Sequence, residues 1–467
     1  MQSSLPATPA SRPLLACLSL AMLLPALGTS IANVALPTLA QTFDAGFASV
    51  QWVVLAYLLA ITTVIVSAGR LGDVMGRRRL MLLGIVLFTA GSLLCGVSPW
   101  LGGLIAARAV QGVGAAIMMA LTMAFASVAV PKNKTGSVMG LLGTMSAIGT
   151  ALGPTLGGAL ISGFGWPSIF LINLPLGAMA FGLAWRVLPR DPAHAAQARA
   201  RFDATGSVLL ALGIAAYALA MTSGGGLGAT PFALLAVAAI AAAMFVRVQA
   251  RSASPLIRLA LFREPVLCAG VATNALVSTV MMTTLVVGPF YLAGALGLDA
   301  ARVGLVMSCG PAVAALAGVP AGRSVDRYGA QRVMLAGLAA MTLGATLLPL
   351  APLTFGAAGY VVPLVVITSG YALFQAANSS AIMASAGADQ RGAVSGLLNL
   401  SRNLGFITGA SLMGAVFAWA SGAGDVRIAP PAALAAGMRG TYAVAAVLLV
   451  LAVAVAAIGQ RRARVPA

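Results

Sequence analysis

The sequence predicts an all-α polytopic membrane protein, and three observations carry that prediction. Of 467 residues, 60% are hydrophobic, and the mean hydropathy is +1.00. Only 8% are charged, against roughly 25% in soluble domains, too few to cover a surface in water. The apolar runs reach about 20 residues, the length that crosses a bilayer as a helix, and lack the period-two alternation of barrel strands. Lipid offers the backbone no hydrogen-bonding partner, so helices are the spanning structure that remains.

Runs of spanning length lie near 14–38, 50–69, 80–98, 101–124, 136–162 and 168–188. The first is longer than the apolar core of a signal peptide, about 7–15 residues, and reads as a retained helix. The polar linker RDPAHAAQARARFDAT follows, then runs near 205–222 and 231–247. After the basic stretch RVQARSASPLIRLALFREP come runs near 266–290, 302–322, 333–352, 358–382, 394–418 and 440–459, which makes fourteen spans.

Charge tests this count. The formal net charge is +18, but the cations form short clusters between apolar runs. That pattern fits membrane topology and argues against nucleic acid as a partner. With the N-terminus inside, all but five of the 27 Lys and Arg residues fall on cytoplasmic loops and tails. Arg302, Arg427 and Arg439 lie outside, and Arg108 and Arg402 lie within spans. An N-in, C-in chain follows. Cys17, Cys95, Cys268 and Cys309 stand singly in apolar runs, and the single histidine, His194, falls in the linker. Neither a disulfide framework nor a metal or cofactor is expected. An intramembrane enzyme would need clustered His, Asp or Glu, which this chain lacks.

Two pairs of segments repeat. GRLGDVMGRRRL (69–80) matches GRSVDRYGAQRV (322–333), and MGLLGTMSAIGTALGPTLGGAL (139–160) matches SGLLNLSRNLGFITGASLMGAV (395–416). The offsets of 253 and 256 residues agree closely, so one duplication explains both. Each half then holds six helices, residues 1–190 and 266–467, with an inserted helix pair and its linkers at 191–265. Paired halves of this kind build alternating access around a midplane site.

Several motifs carry candidate chemistry. In the first repeat, Gly69 and Gly76 permit a tight turn, Asp73 is placed to pair with arginines or a helix N-terminus, and Arg77, Arg78 and Arg79 hold the loop inside. Gly322, Asp326 and Gly329 are its counterparts in the second half. In the fourth span Arg108 and Gln111 share a face one turn apart. An arginine within a span costs at least about 2.5–3.5 kcal/mol, so it faces the bundle interior or a polar cavity. The fifth span carries Gly149, Gly153 and Gly157 as a flat packing stripe, with Pro154 to bend it and Gly158 beside it. The first span interrupts itself with PALGTSIANVALPTLA (25–40), where Thr29, Ser30 and Asn33 lie between Pro25 and Pro37. Asn173, Asn274, Gln375, Asn378, Asn399 and Asn403 line a cavity or make interhelical bonds, and Asn399 shares a face with Arg402.

Together QWVVLAYLLA (51–60), GRLGDVMGRRRL, the Arg108 segment, GTALGPTLGG (149–158) and IFLINLPLG (169–177) resemble the major facilitator superfamily. More narrowly they resemble its fourteen-helix drug/proton antiporter branch, as do SPLIRLALFREP (254–265) and SGLLNLSRNLGFITGAS (395–411). The resemblance implies the major facilitator fold, two six-helix bundles around a central cavity, and multidrug efflux from a bacterial inner membrane by rocker-switch motion. It implies a latching role for the loop after span two and a part for Arg108 in proton coupling. The helix from Gly149 to Gly158 is implied to mark exporters and to line the interface between halves.

One position departs from the family. LGTSIANVALP matches a motif that usually carries Asp after its Leu, and here Gly28 stands there. The nine acidic residues, Asp44, Asp73, Asp191, Asp203, Glu264, Asp299, Asp326, Asp389 and Asp425, all map to loops or helix ends. A cavity with embedded Arg108 and Arg402 and no carboxylate disfavours cationic substrates. The expected substrate is therefore a small neutral or anionic amphiphile, carried by a monomer in the bilayer. If protons drive export, Asp44, Asp73 or Asp326 must titrate. Without such coupling the chain is a uniporter or facilitator of anionic or neutral solutes, or a sensor-like homologue that has lost transport.

Overall fold

The computed structural model of the chain describes residues 12–129, 135–191, 203–222, 229–252, 262–351, 353–385, 391–422 and 429–464. The first half comprises α1 (Arg12–Thr42), α2 (Phe47–Met75), α3 (Arg77–Gly96), α4 (Leu101–Ala129) and α5 (Thr135–Phe164). Its sixth run is two pieces, α6 (Ser168–Leu171) and α7 (Asn173–Val187), parted at Ile172. The inserted pair is α8 (Ala204–Thr222) and α9 (Ala229–Arg251). The second half comprises α10 (Pro265–Phe290), α11 (Ala300–Tyr328), α12 (Ala330–Leu347), α13 (Gly356–Ser385), α14 (Arg391–Thr408), α15 (Gly414–Ser421) and α16 (Pro431–Arg464). A π-helical turn, Tyr291–Ala295, extends α10, and another, Gly409–Met413, joins α14 to α15.

Twelve helices among the described residues are long and apolar enough to cross a bilayer. Two shorter apolar segments, Ile148–Phe164 and Thr205–Ala220, lie within α5 and α8. The interior of the first half is packed by α1, α2, α3, α4 and α7, around Leu18, Tyr57, Phe88 and Met118. A second apolar core runs through the other half and joins the halves at Phe47, Phe290 and Phe417. Within α1, which contains Pro25 and Pro37, the Pro25 carbonyl accepts from Tyr57 Oη and Thr29 Oγ1, at 2.9 and 3.0 Å.

The repeated segments are not loops as the sequence suggests. Gly69 and Asp73 lie within the last turns of α2, and Gly322 and Asp326 within those of α11. The chain turns at one residue only, Gly76 in the first half and Gly329 in the second. Their backbones match, φ 95° and ψ 129° against φ 83° and ψ 148°, a region that glycine alone enters without strain. The duplication is thus visible in the backbone as well as in the sequence.

The two turns are held differently. At the first, the Asp191 carboxylate accepts from the backbone N–H of Arg78 at 2.9 Å and of Arg79 at 3.1 Å. It therefore answers two of the unpaired donors that begin α3, with a charge that the helix dipole favours. Arg78 completes the clasp, donating to the Trp185 carbonyl at 2.6 Å with its guanidinium 5.1 Å from that ring's centroid. Gly322 and Gly329 face open space. Replacing Asp191 by Ala should lower stability by about 0.5–2 kcal/mol, the usual worth of a helix cap. Thermal unfolding of the purified protein reads this, and an unchanged midpoint would deny the cap any energetic role.

The halves meet along two seams that mirror each other. On one, Gly158 of α5 packs against Ala300, Ala301 and Gly304 of α11, and the Thr155 and Ser308 hydroxyls are hydrogen-bonded. On the other, Gly414 of α15 packs against Phe47 and Gln51 of α2. Gln51 Nε2 donates across to the Ala410 carbonyl, at 2.9 Å, within the π-helical turn. The same offsets relate 47 to 300, 51 to 304 and 158 to 414, so duplication built both seams. All these contacts lie toward the end that carries the turns at 43–46 and 296–299, and there the halves are closed. α8 stands beside the second seam, bonded to α2 through Ser67 and Ser207 at 2.7 Å and to α14 through Tyr217 and Thr408 at 2.9 Å.

Candidate functional site

Arg108 sits at the centre of the first half with no accessible surface. Its helix places it where three others converge. Nε donates to the Val53 carbonyl of α2 at 2.8 Å, Nη2 to the Gly28 carbonyl of α1 at 3.1 Å, and Nη1 to Gln111 Oε1 at 2.6 Å. Gln111 Nε2 passes the chain on to Ser92 Oγ of α3 at 2.7 Å. The guanidinium also lies 4.0 Å from the centroid of the Tyr57 ring, a cation–π contact strengthened by the dry surroundings. Charge-assisted hydrogen bonds contribute about 1.5–3 kcal/mol each, so three of them offset the cost of inserting the charge. Arg108 is buried rather than drawn out to the membrane surface.

Every one of these acceptors is uncharged. The helical carbonyls can accept because each oxygen has a second lone pair beyond its ladder bond. Gly28, where the family motif carries an acid, contributes its backbone instead of a side chain. A Cβ built there would lie 3.0 Å from Tyr57 Oη and 3.5 Å from Phe88.

The polar residues of α1 divide between two faces. Thr29 is half-buried, and Asn33 Nδ2 donates to its carbonyl at 2.9 Å, while Asn33 Oδ1 is buried without a partner. Ser30 turns away toward α5, bonding the Gly149 carbonyl at 3.3 Å. A Cβ at Gly153 would overlap its hydroxyl. Gly149, Gly153 and Gly157, the stripe, all lie against α1, and the neighbouring Gly158 faces α11. The predicted packing stripe therefore binds α5 within its own half, while Gly158 and Pro154 serve the seam.

In the second half Arg402 Nη2 donates to Asn399 Oδ1 at 3.1 Å, as their spacing predicts. Asn274 and Asn378 make interhelical bonds, to the Leu398 carbonyl and Ser401 Oγ and to the Gly270 carbonyl. Asn403 is buried, and Asn173 is fully buried with neither amide atom partnered. The side chain of Asp73 lies outside the described residues, Asp326 is exposed, and Arg77 begins α3. Sequence reasoning missed Tyr57, Gln51 and Asp191 as partners. Two cavities of about 240 Å³ lie in the second half, one beside Tyr291 and Arg439 and one beside Gln331 and Asn378; neither touches Arg108 or Arg402.

The described acids occupy the places that the sequence assigns them. Asp44 is in the α1–α2 turn with φ 44°, Glu264 immediately precedes α10, Asp299 caps α11, and Asp203 caps α8 while accepting from Gln249 of α9 at 2.6 Å. Asp389 and Asp425 lie outside the described residues.

Comparison with known proteins follows this architecture. The family profile described as the Major Facilitator Superfamily matches residues 18–410 and, separately, 267–466. The chain is 34% identical over 396 residues to the multidrug resistance protein Stp of Mycobacterium tuberculosis, covering 84% of this chain and 73% of Stp. It is 33% identical over 395 residues to the riboflavin transporter RibZ of Clostridioides difficile, covering 83% and 84%. A crystal structure of the peptide transporter POT superposes with a TM-score of 0.72 at 14% identity, over 98% of this chain and 97% of that one; that likeness speaks to fold alone. The duplicated helical halves, the profile spanning nearly the whole chain and relatives one-third identical place it in the Major Facilitator Superfamily, as a multi-pass transporter of the bacterial inner membrane similar to that family's multidrug-efflux proteins.

Proposed function

We propose that the protein exports small neutral or anionic amphiphiles by alternating access between its two six-helix halves. In this reading residues 1–190 and 266–467 rock about the seams, the pair at 191–265 accompanies them, and fourteen spans leave both termini in the cytoplasm. The seams that are closed lie on the outer side of that topology. One observation carries the substrate class: the buried charge of Arg108 is answered by uncharged acceptors, the Gly28 carbonyl among them. A lipophilic cation entering beside it finds no carboxylate to offset its desolvation, whereas a neutral or anionic body meets no such penalty. A relative named for riboflavin, an uncharged aromatic solute, fits that class.

Counterflow in proteoliposomes with matched cationic, neutral and anionic dyes tests the reading. Saturable flux of the neutral and anionic dyes is expected, and tight saturable export of ethidium in their place would sink it. Repeating the assay with a pH gradient tests coupling. Asp44→Asn, Asp73→Asn and Asp326→Asn identify the titrating group if flux follows the gradient. Asp44→Asn keeps the turn, since Asn also tolerates positive φ. Flux indifferent to the gradient would mark a facilitator, the alternative to export.

A further inference from the structure

The inserted helix pair bears on both halves through α8. Among the described residues α9 packs on α8, and only 11% of its span is buried. α8 presents Leu210, Ile214 and Tyr217 on one face, at i, i+4 and i+7, to the apolar core that joins the halves. It meets α2 on one side and α14 with its π-helical turn on the other, and the interface with α2 is the larger.

Two side-chain hydrogen bonds tie α8 down, at different levels and to different halves. Near its start the Ser207 hydroxyl gives its proton to the Asp203 carbonyl at 2.9 Å, so it accepts from Ser67 Oγ of α2 at 2.7 Å. Tyr217 lies about 15 Å further along α8, at 1.5 Å per residue. There the Thr408 hydroxyl donates to the Leu404 carbonyl at 2.8 Å, which spends its one proton. It therefore accepts from Tyr217 Oη, at 2.9 Å. Thr408 directly precedes the π-helical turn, whose Ala410 carbonyl accepts from Gln51 of α2. Tyr217 and Gln51 thus grip neighbouring positions of the second half, at the end where the seams are closed.

When two bodies rotate about an interface, contacts within each body persist and contacts between them are exchanged. We propose that α8 travels with the first half as a brace, and that the Tyr217–Thr408 bond is a catch holding the second half against it while the outer side is closed. The larger interface with α2 and the Ser67–Ser207 bond fasten the brace to the first half. Outward opening carries Thr408 away together with Ala410, so Tyr217 and Gln51 release at the same step. Water entering the opened seam takes over the freed groups, so the catch contributes the modest net value of an exchanged hydrogen bond. The assignment rests on the reading of the protein as a carrier that alternates access between its halves.

The test places spin labels at the exposed Ser49 and Trp419 positions, on α2 and α15, in full-length protein in proteoliposomes. A neutral coumarin saturates both sides, so that turnover populates both states. In Tyr217→Phe, which removes one hydroxyl, the ratio of long to short distances is expected to rise about 2- to 10-fold, as for loss of one uncharged hydrogen bond. Thr408→Val should give the same shift, and the double variant should go no further than either single, since both remove one bond. If one single variant does not fold, the other carries the comparison. Ser67→Ala cuts a bond inside one moving body and should leave the ratio unchanged. An unmoved ratio in Tyr217→Phe, additive shifts in the double variant, or an equal shift in Ser67→Ala would each overturn the brace. A wild type that carries no coumarin and keeps one distance throughout would defeat the functional reading itself, whereas one that turns over with its distances indifferent to Tyr217→Phe defeats only the catch.

Discussion

Arg108→Met should leave the protein folded and abolish transport. The expectation follows from which groups lose a partner. The Val53 and Gly28 carbonyls are helical and keep their ladder bonds, so only Gln111 Oε1 is orphaned outright, at about 1–3 kcal/mol. Against that stands relief from burying a charge, and apolar isosteres of buried ions are often as stable or more so. The two effects nearly cancel, so thermal unfolding should move little. Stability therefore does not account for the arginine, and its role is better sought in function. A fall in flux of about two orders of magnitude or more is expected, about 1.36 kcal/mol of activation free energy per tenfold. Arg108→Lys should not rescue, because an ammonium cannot fork toward acceptors on α1, α2 and its own helix. A folded Arg108→Met protein with ordinary flux would make the residue dispensable, and a variant that unfolds would make it structural. Initial rates of counterflow and an unfolding curve on the same preparation distinguish these results.

How far the site could be read from sequence depends on which atoms build it. Spacing along one helix is legible: Arg108 with Gln111, and Asn399 with Arg402, bond as one-turn neighbours should. Contacts from other helices are not, because Val53 and Gly28 contribute backbone oxygens that carry no residue signature. Asp191 is 113 positions from the N–H it caps, so nothing local announces the clasp. Ser30 shows a subtler limit: periodicity fixes the angle between Thr29, Ser30 and Asn33 but not which side of the helix looks inward, and Ser30 proves to face α5. The fold was more accessible, since long apolar runs and a glycine pattern repeated at a constant offset are strong signals. Even there the π-helical turn at Gly409–Met413 left no trace beyond its alignment with the proline-bearing stretch of α5, two different ways of loosening the same point of a duplicated helix.

That duplicated point is where the largest conformational effect is expected. Gly158→Leu should fold, lose most of its transport and rest with the α5–α11 seam apart. A Cβ at 158 would lie 2.5 Å from the Ala300 carbonyl oxygen and 3.2 Å from the Cα atoms of Ala301 and Gly304. These are backbone atoms and cannot swing aside, so the clash is removed only by separating the helices. Overpacking of this kind costs about 1–3 kcal/mol, and the cost falls on the closed seam alone. A balanced pair of states would therefore shift by about 5- to 150-fold. Alternating access needs both states, so flux should fall by a comparable factor. The mirrored substitution Gly414→Leu meets the side chains of Gln51 and Phe47 instead, which can adopt other rotamers, and its effect should be smaller. Spin labels at the exposed Phe164 and Leu305 positions measure the seam directly. The distance between them should lengthen in Gly158→Leu, with less change in Gly414→Leu. An unaltered distance together with full transport would show that the close approach at Gly158 is not the contact on which the outer closure depends.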